Sequence, residues 1–367
     1  MTKKTFICVV GARPNLMKMA PIIHAMKKQS DKLNVLLVHT GQHYDYMMSE
    51  IFFRELELDK PDYFLGIGSG KHGEQTARIM IAFEEILEKE TCDGVVVAGD
   101  VNSTIACSLV AVKMHIPVTH VESGLRSFDS GMPEEINRIL TDRISSVLFV
   151  TEKSGRENLL REGVSEDKIF MVGNTMIDSL ERFLSLSKQQ PLPLDGKIES
   201  GNYILVTLHR PSNVDDKIVF LPLMKMLAEF SSQLPIVFPV HPRTKEKITE
   251  YCPEYLSEDY PDFHLIEPTG YLSFLNLMSS AKLVLTDSGG IQEETSVLNV
   301  PCLTLRENTE RPVTIEVGTN ELIGIDPVNI KPAVQAILQG KLKRGERPPM
   351  WDGKSAERIV KILMDIG

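Results

Sequence analysis

Gly94-Val-Val-Val-Ala98 runs into Gly99-Asp100, a helical stretch follows over residues 103–114, and Ile116-Pro-Val-Thr-His-Val121 comes directly after. A short run of apolar residues without polar alternation belongs to a strand covered on both faces. A helical crossover of this length returns the chain to a second strand parallel to the first. The segment is a βαβ unit, and it sets the class as α/β.

The same grammar extends in both directions. Phe6-Ile-Cys-Val-Val10 precedes an amphipathic stretch at 15–28, Val35-Leu-Leu-Val38 one at 44–55, and Val147-Leu-Phe-Val150 one at 154–162. The pattern lapses over residues 185–202, which are polar with two prolines and two glycines. Such composition reads as a domain boundary. A second series follows with Tyr203-Ile-Leu-Val-Thr207, Ile236-Val-Phe-Pro-Val240, Lys282-Leu-Val-Leu-Thr286 and Pro301-Cys-Leu-Thr-Leu305. Two Rossmann-like domains with parallel sheets, at 1–185 and 202–354, and an active site in the cleft between them are expected. Length agrees, since 367 residues suit two domains.

Composition narrows the function. Forty Lys and Arg against fifty Asp and Glu give a net charge of −10, which argues against nucleic acid as a partner. No apolar run approaches the ~18 residues of a membrane span. The start, with Phe6–Val10 cut short by Gly11-Ala-Arg-Pro14, reads as a first strand and not a signal peptide. Five scattered cysteines without a C-x-x-C pattern suggest reduced core residues of a cytoplasmic protein.

Ligands of open α/β sheets bind where strands end. Those ends here are Gly11-Ala-Arg13, His39-Thr-Gly-Gln42-His43, Gly99-Asp100, His120-Val-Glu122, Leu208-His209-Arg210, His241-Pro-Arg243 and Asp287-Ser-Gly-Gly290. Ser288, Gly289 and Gly290 open a helix after a strand, a layout that aims backbone N–H groups at a phosphate. Glu294, one turn on, suits ribose hydroxyls. Arg13, Lys18, Arg210, Arg243, Arg306 and Arg311 are candidate partners for a diphosphate. Asp100, Glu122 and Glu134 form an acidic set able to supply acid and base, whereas Glu135 reads as a helix-start residue. Gly68-Ser-Gly70-Lys-His-Gly73 matches the dinucleotide fingerprint, but no acidic strand end follows where NAD binding needs one. His39 and His43 have metal-pair spacing, yet Thr40-Gly41 between them breaks the helix a zinc pair needs. No cofactor and no metal are expected.

These blocks together resemble the non-hydrolysing UDP-N-acetylglucosamine 2-epimerases. They are Gly11–Lys18, Thr40–His43, Gly99-Asp100, His120–Ser127, Pro133–Arg138, His209-Arg210, Asp287–Glu294 and Thr309–Pro312, in order along the whole chain. The resemblance implies a glycosyltransferase-B type fold, with a last helix at about 355–367 returning to the first domain. It implies cofactor-free C2 epimerisation of UDP-GlcNAc to UDP-ManNAc, by anti elimination of UDP to a 2-acetamidoglucal and re-addition, in surface-polysaccharide precursor synthesis by a cytoplasmic homodimer. Carried over, Asp100, Glu122 and Glu134 move protons, and His209 joins them in the catalytic set. Lys18, Arg138 and His209 position sugar and diphosphate, Arg13, Ser288, Gly289 and Gly290 hold phosphate oxygens, and Phe274 stacks near uracil. Glu294 takes the ribose, Arg311 lies along the cleft, and His241 completes the substrate-binding set. Gln42 and His43 mark a candidate regulatory site, where Tyr46 replaces the Gln or Glu of substrate-activated members. Ala12 and Asn15 replace the common Thr and Glu, as in relatives acting on UDP-2,3-diacetamido-2,3-dideoxyglucuronate. That sugar is the first alternative substrate. A UDP-sugar glycosyltransferase is the alternative reaction class, and a nucleotide-sugar binding protein without catalysis the third reading.

Overall fold

A computed structural model describes residues 3–42, 46–194, 196–257 and 259–366. The chain forms two compact units, residues 1–182 with 349–367, and residues 183–348. Elements of the first unit run β1 (Lys4–Val10), α1 (Arg13–Lys27), β2 (Leu33–His39), α2 (Tyr46–Glu55), β3 (Tyr63–Phe64), α3 (His72–Lys89) and β4 (Gly94–Ala98). Then follow α4 (Asn102–Lys113), β5 (Val118–Val121), α5 (Pro133–Ile144), β6 (Val147–Val150), α6 (Lys153–Arg161), β7 (Ile169–Met171) and α7 (Thr175–Ser187). The second unit holds β8 (Ile204–Thr207), α8 (Pro211–Val214), α9 (Lys217–Ser231), β9 (Ile236–Pro239), α10 (Pro242–Tyr251), β10 (Phe263–Ile266) and α11 (Tyr271–Ser279). It continues with β11 (Leu283–Thr286), α12 (Gly289–Leu298), β12 (Cys302–Thr304), α13 (Pro312–Glu316), β13 (Asn320–Leu322) and α14 (Pro327–Leu338). Helix α15 (Ser355–Asp365) belongs to the first unit.

Among the described residues the first sheet has seven strands in the order β3-β2-β1-β4-β5-β6-β7, and the second six in the order β10-β9-β8-β11-β12-β13. All pairs are parallel. Each order reverses beside the first strand of its unit, at β1/β4 and at β8/β11. Such switch points open a crevice at the carboxyl ends of the strands.

The quoted βαβ unit is β4-α4-β5, with Val95, Val96 and Val97 wholly buried, as doubly covered strands require. Each such valine contributes roughly 1.5–3 kcal/mol through burial. In the second unit Phe220, Leu223, Met224 and Leu227 of α9 pack with Ile236 and Phe238 of β9.

Polar residues 185–202 lie with the second unit, and the division falls inside α7, whose helical pattern carries it past Arg182. The returning chain rejoins the first unit at Pro349, ahead of α15. Buried Trp351 donates its indole N–H to the Thr151 carbonyl at 2.9 Å. Asp178 accepts from the N–H groups of Ser355 and Ala356 at 3.1 and 2.7 Å, satisfying donors that open α15. Burial pushes the Asp178 carboxyl up to about 6. Among the described residues no helix is long and apolar enough to cross a membrane.

Candidate active site

In the first unit the turn after β1 and the turns after β4 and β5 are tied together. Asn15 is buried; its side-chain oxygen accepts from the Ala12 N–H at 3.1 Å and its amide donates to the Ala98 carbonyl at 2.7 Å. One turn further, Lys18 reaches Glu122 at 2.5 Å, and both side chains are buried. Gly99 has φ +67°, and a Cβ there would stand 3.1 Å from the Lys18 ammonium, so only glycine fits comfortably. Glu122 itself has φ +68°. A charged non-glycine residue held in the left-handed region is backbone strain of the kind found at functional sites.

Asp100 is partly exposed, and its Oδ2 accepts from Arg138 Nε at 3.0 Å. Arg138 also binds Glu135. Glu135 in turn accepts from the Ser127 N–H, the Ser127 hydroxyl and the Phe128 N–H, each at 3.0 Å, so it anchors the loop ahead of α5. Glu134 is half-buried on the first turn of the same helix. Arg13 is half-buried and lies 4.5 Å above the Phe52 ring. Gln42 is turned inward: its side-chain oxygen accepts from the N–H and the hydroxyl of Ser103 at 2.9 and 2.7 Å. His43 lies outside the described residues.

Behind these groups sits His120, wholly buried, with Nδ1 2.7 Å from Asp142 Oδ1 and Nε2 2.8 Å from the Gly99 carbonyl. Each ring nitrogen therefore has a partner. Asp142 also takes Arg126 at 2.7 Å and the Gly124 N–H at 3.0 Å, and Arg126 forks onto Glu162. Burial pushes the Asp142 carboxyl up, but His120 and Arg126 outweigh it and hold it below the usual range. Burial likewise opposes the Arg126 charge, and Glu162 and Asp142 outweigh it, raising its pKa.

The second unit collects guanidinium groups. Arg306 is buried and makes two bonds to Glu310, at 3.0 and 2.6 Å. Arg210 lies 3.8 Å from the same carboxylate, and its Nε donates to the Asp287 carbonyl at 3.0 Å. Arg311 reaches Glu293 at 2.6 Å and Glu310 at 3.2 Å. Burial, followed by the nearby Arg306 charge, lowers the Arg210 pKa. All three guanidinium groups meet at the Glu310 carboxylate.

Ser288 precedes α12, its N–H donating to the Thr286 hydroxyl at 3.0 Å. A Cβ on Gly289 would lie 2.5 Å from Arg311 Nη1, so this glycine makes room for the guanidinium. Gly290 follows in the first turn. Glu294 is buried and accepts from the Tyr271 hydroxyl at 3.0 Å, while Phe274 sits half-buried one turn along α11. His209 is 2.9 Å from Asp287, its ring 6.3 Å from that of exposed His241. Arg243 is engaged by Asp215 at the surface, at 2.8 and 2.5 Å.

The geometry adds residues that the sequence motifs left without a role. Asp287 and Glu310 stand inside quoted or neighbouring blocks, and the strand order β8/β11 was the missing signal. Asp142 had no signal, because its partner His120 is twenty-two positions away. Among the described residues no group of three or more His, Cys, Asp or Glu is placed to hold a metal ion.

Residues 24–364 match the family model of UDP-N-acetylglucosamine 2-epimerase. The chain belongs to that family. It is 46% identical over 360 residues to the UDP-N-acetylglucosamine 2-epimerase of Methanocaldococcus jannaschii, covering 97% of each chain. It is 38% identical to a UDP-2,3-diacetamido-2,3-dideoxy-D-glucuronate 2-epimerase of Pseudomonas aeruginosa, covering 97% of this chain and 98% of that one. The M. jannaschii crystal structure in complex with UDP-GlcNAc and UDP is similar with TM-score 0.91 at 45% identity, over 99% of this chain and 100% of that one. Two parallel sheets with alternating helices, of the glycosyltransferase-B type, are therefore the fold of this epimerase.

Proposed function

We propose that the chain interconverts UDP-GlcNAc and UDP-ManNAc. The C2 proton of the sugar is not acidic, so its removal needs a leaving group at C1 and a well-placed carboxylate. Anti elimination supplies both: a carboxylate takes the C2 proton, the C1–O bond to UDP breaks, and a C1=C2 double bond forms. Re-protonation of C2 on the opposite face with re-addition of UDP gives the epimer, and no electrons are gained or lost. Asp100, Glu122 and Glu134 are the proton-moving set, with Lys18 and Arg138 offsetting charge beside the sugar. Arg13, Ser288, Gly289, Gly290 and Arg311 hold the departing diphosphate, where fixed donors act most strongly on developing charge. Phe274 stacks on uracil, Glu294 takes the ribose, and His241 stands with His209 at the diphosphate end.

The observation that carries this reading is the pair of salt bridges Lys18–Glu122 and Arg138–Asp100, at the carboxyl ends of neighbouring strands. A glycosyltransferase has no need of such an acidic set around C2. The Ala12/Asn15 departure is met inside the fold, since both ends of Asn15 are bonded to backbone. It gives no reason to prefer the diacetamido sugar. Five free cysteines support a cytoplasmic setting. Exposed Ile136, Ile139 and Leu140 on α5 support a homodimer. The test offers UDP-GlcNAc and the diacetamido-uronate separately and follows anomeric protons by NMR. UDP-ManNAc formation from the first is expected; turnover of the second alone would move the assignment to that sugar.

A further inference from the structure

We infer that Asp287 is a positioning residue for the reaction: its buried carboxylate fixes the ring proton of His209 on Nδ1 and leaves Nε2 as the working nitrogen. The role rests on the epimerase reading, since it names the group through which His209 acts. Asp287 directly follows β11 and His209 lies two residues beyond β8, and these strands pair at Thr286 and Thr207 where the strand order reverses.

Asp287 is wholly buried. Its Oδ2 accepts from the N–H of His209 at 3.0 Å, the N–H of Arg210 at 2.9 Å and the Asn213 amide at 3.2 Å. Its Oδ1 has no aligned hydrogen bond among the described residues and stands 2.9 Å from His209 Nδ1. A buried polar atom without a donor is costly, the more so when charged. A small turn of the imidazole brings the Nδ1–H into line. Catalytic hydrogen bonds that are off-line without substrate tighten in the complex. The bond at one ring nitrogen decides the state of the other. The His209 side chain is 45% exposed, and its Nε2 has no hydrogen bond among the described residues. A ring held this way presents Nε2 at a fixed place. It accepts when neutral and donates after taking up one proton, with the Asp287 charge behind it.

The test is Asp287→Asn. The three donors at Oδ2 retain the amide oxygen there, so the NH2 faces Nδ1 and drives the ring proton to Nε2. We expect kcat to fall about 10²-fold or more, with KM and UDP Kd within about threefold of the parent. Ring 15N NMR of histidine-labelled protein, assigned with His209→Asn, should show the proton on Nδ1 in the parent and on Nε2 in Asp287→Asn. In the His209→Asn background, Asp287→Asn should cost less than about twofold in kcat. A parent ring protonated on Nε2, a kcat within about threefold of the parent, or losses that multiply in the double variant would each overturn the role. The parent spectrum needs no folded Asp287 variant. Parent turnover, measured alongside, separates this role from the reaction assignment: an inactive parent with Nδ1 protonated removes the reaction and the catalytic role together, while the pairing stands.

Discussion

The molecule holds two histidine–aspartate pairs at strand ends, His120 with Asp142 in the first unit and His209 with Asp287 in the second. In both, burial works against the carboxylate and its partners, the histidine first among them, outweigh it, so both carboxyls sit below the usual range. The rings differ. His120 is wholly buried and spends both nitrogens, on Asp142 and on the Gly99 carbonyl. His209 is nearly half exposed and has Asp287 at one nitrogen only. The first pair holds a turn in shape, and the turn it holds carries Asp100. The second pair holds a ring in shape, with its Nε2 edge left toward solvent. The same two residue types thus build a closed, buried pair in one unit and an open, half-exposed one in the other.

The largest effect should come from the group that the buried pair supports. Asp100→Asn is expected to reduce C2 exchange by about 10²–10⁴-fold, with UDP affinity within about threefold; undiminished exchange would remove Asp100 from the proton-moving set. The histidines should then part company. His120→Gln removes a buried partner of the Asp142 carboxylate, expected to cost about 3–5 kcal/mol and to lower the thermal midpoint by about 5–15 °C. His209→Asn, at a ring nearly half exposed, should lower the midpoint by less than His120→Gln does and cost about 10²-fold in kcat. Equal thermal losses in both variants would erase the distinction between the pairs.

A smaller effect is expected at Gly289→Ala, whose new Cβ would meet Arg311 Nη1 at 2.5 Å. Displacing that guanidinium should weaken UDP binding by about tenfold, as lost charged hydrogen bonds do, with calorimetry as the check. The mildest is acid sensitivity. A carboxyl whose folded pKa is depressed contributes stability that is complete above its unfolded value, about 4, and is lost as pH falls through the folded value. The gap in thermal midpoint between parent and Asp142→Asn should hold from pH 7 to about 5 and narrow below pH 4; a gap that widens in acid would contradict the assignment.

Much of the fold is legible in residues because doubly covered strands are compositionally loud. Gly94–Ala98 is a strand in sequence and structure alike, and the alternation with helices carries through both units. The positions of Asp100, Glu122, His209 and Asp287 follow from asking what comes after each strand. What partners them does not follow. Asn15 stands where glutamate is common in the family, and the Ala98 carbonyl beside it explains an amide there. Gly289 looks like a phosphate-binding glycine, while its backbone also has to clear Arg311, twenty-two positions on. Residues 185–202 look like a boundary because they are polar, yet the division falls earlier, inside a helix whose periodicity gives no sign of it. Each of these depends on packing between segments distant in sequence, which local pattern does not encode.

The central claim is that a carboxylate set removes and returns the C2 proton. Incubation with UDP-GlcNAc in D2O, followed by proton NMR, tests it most directly. Deuterium should appear at C2 of UDP-ManNAc and, as the reaction reverses, of the remaining UDP-GlcNAc. Epimer formed with its original C2 hydrogen retained, or tight UDP binding with no exchange at all, would contradict the account.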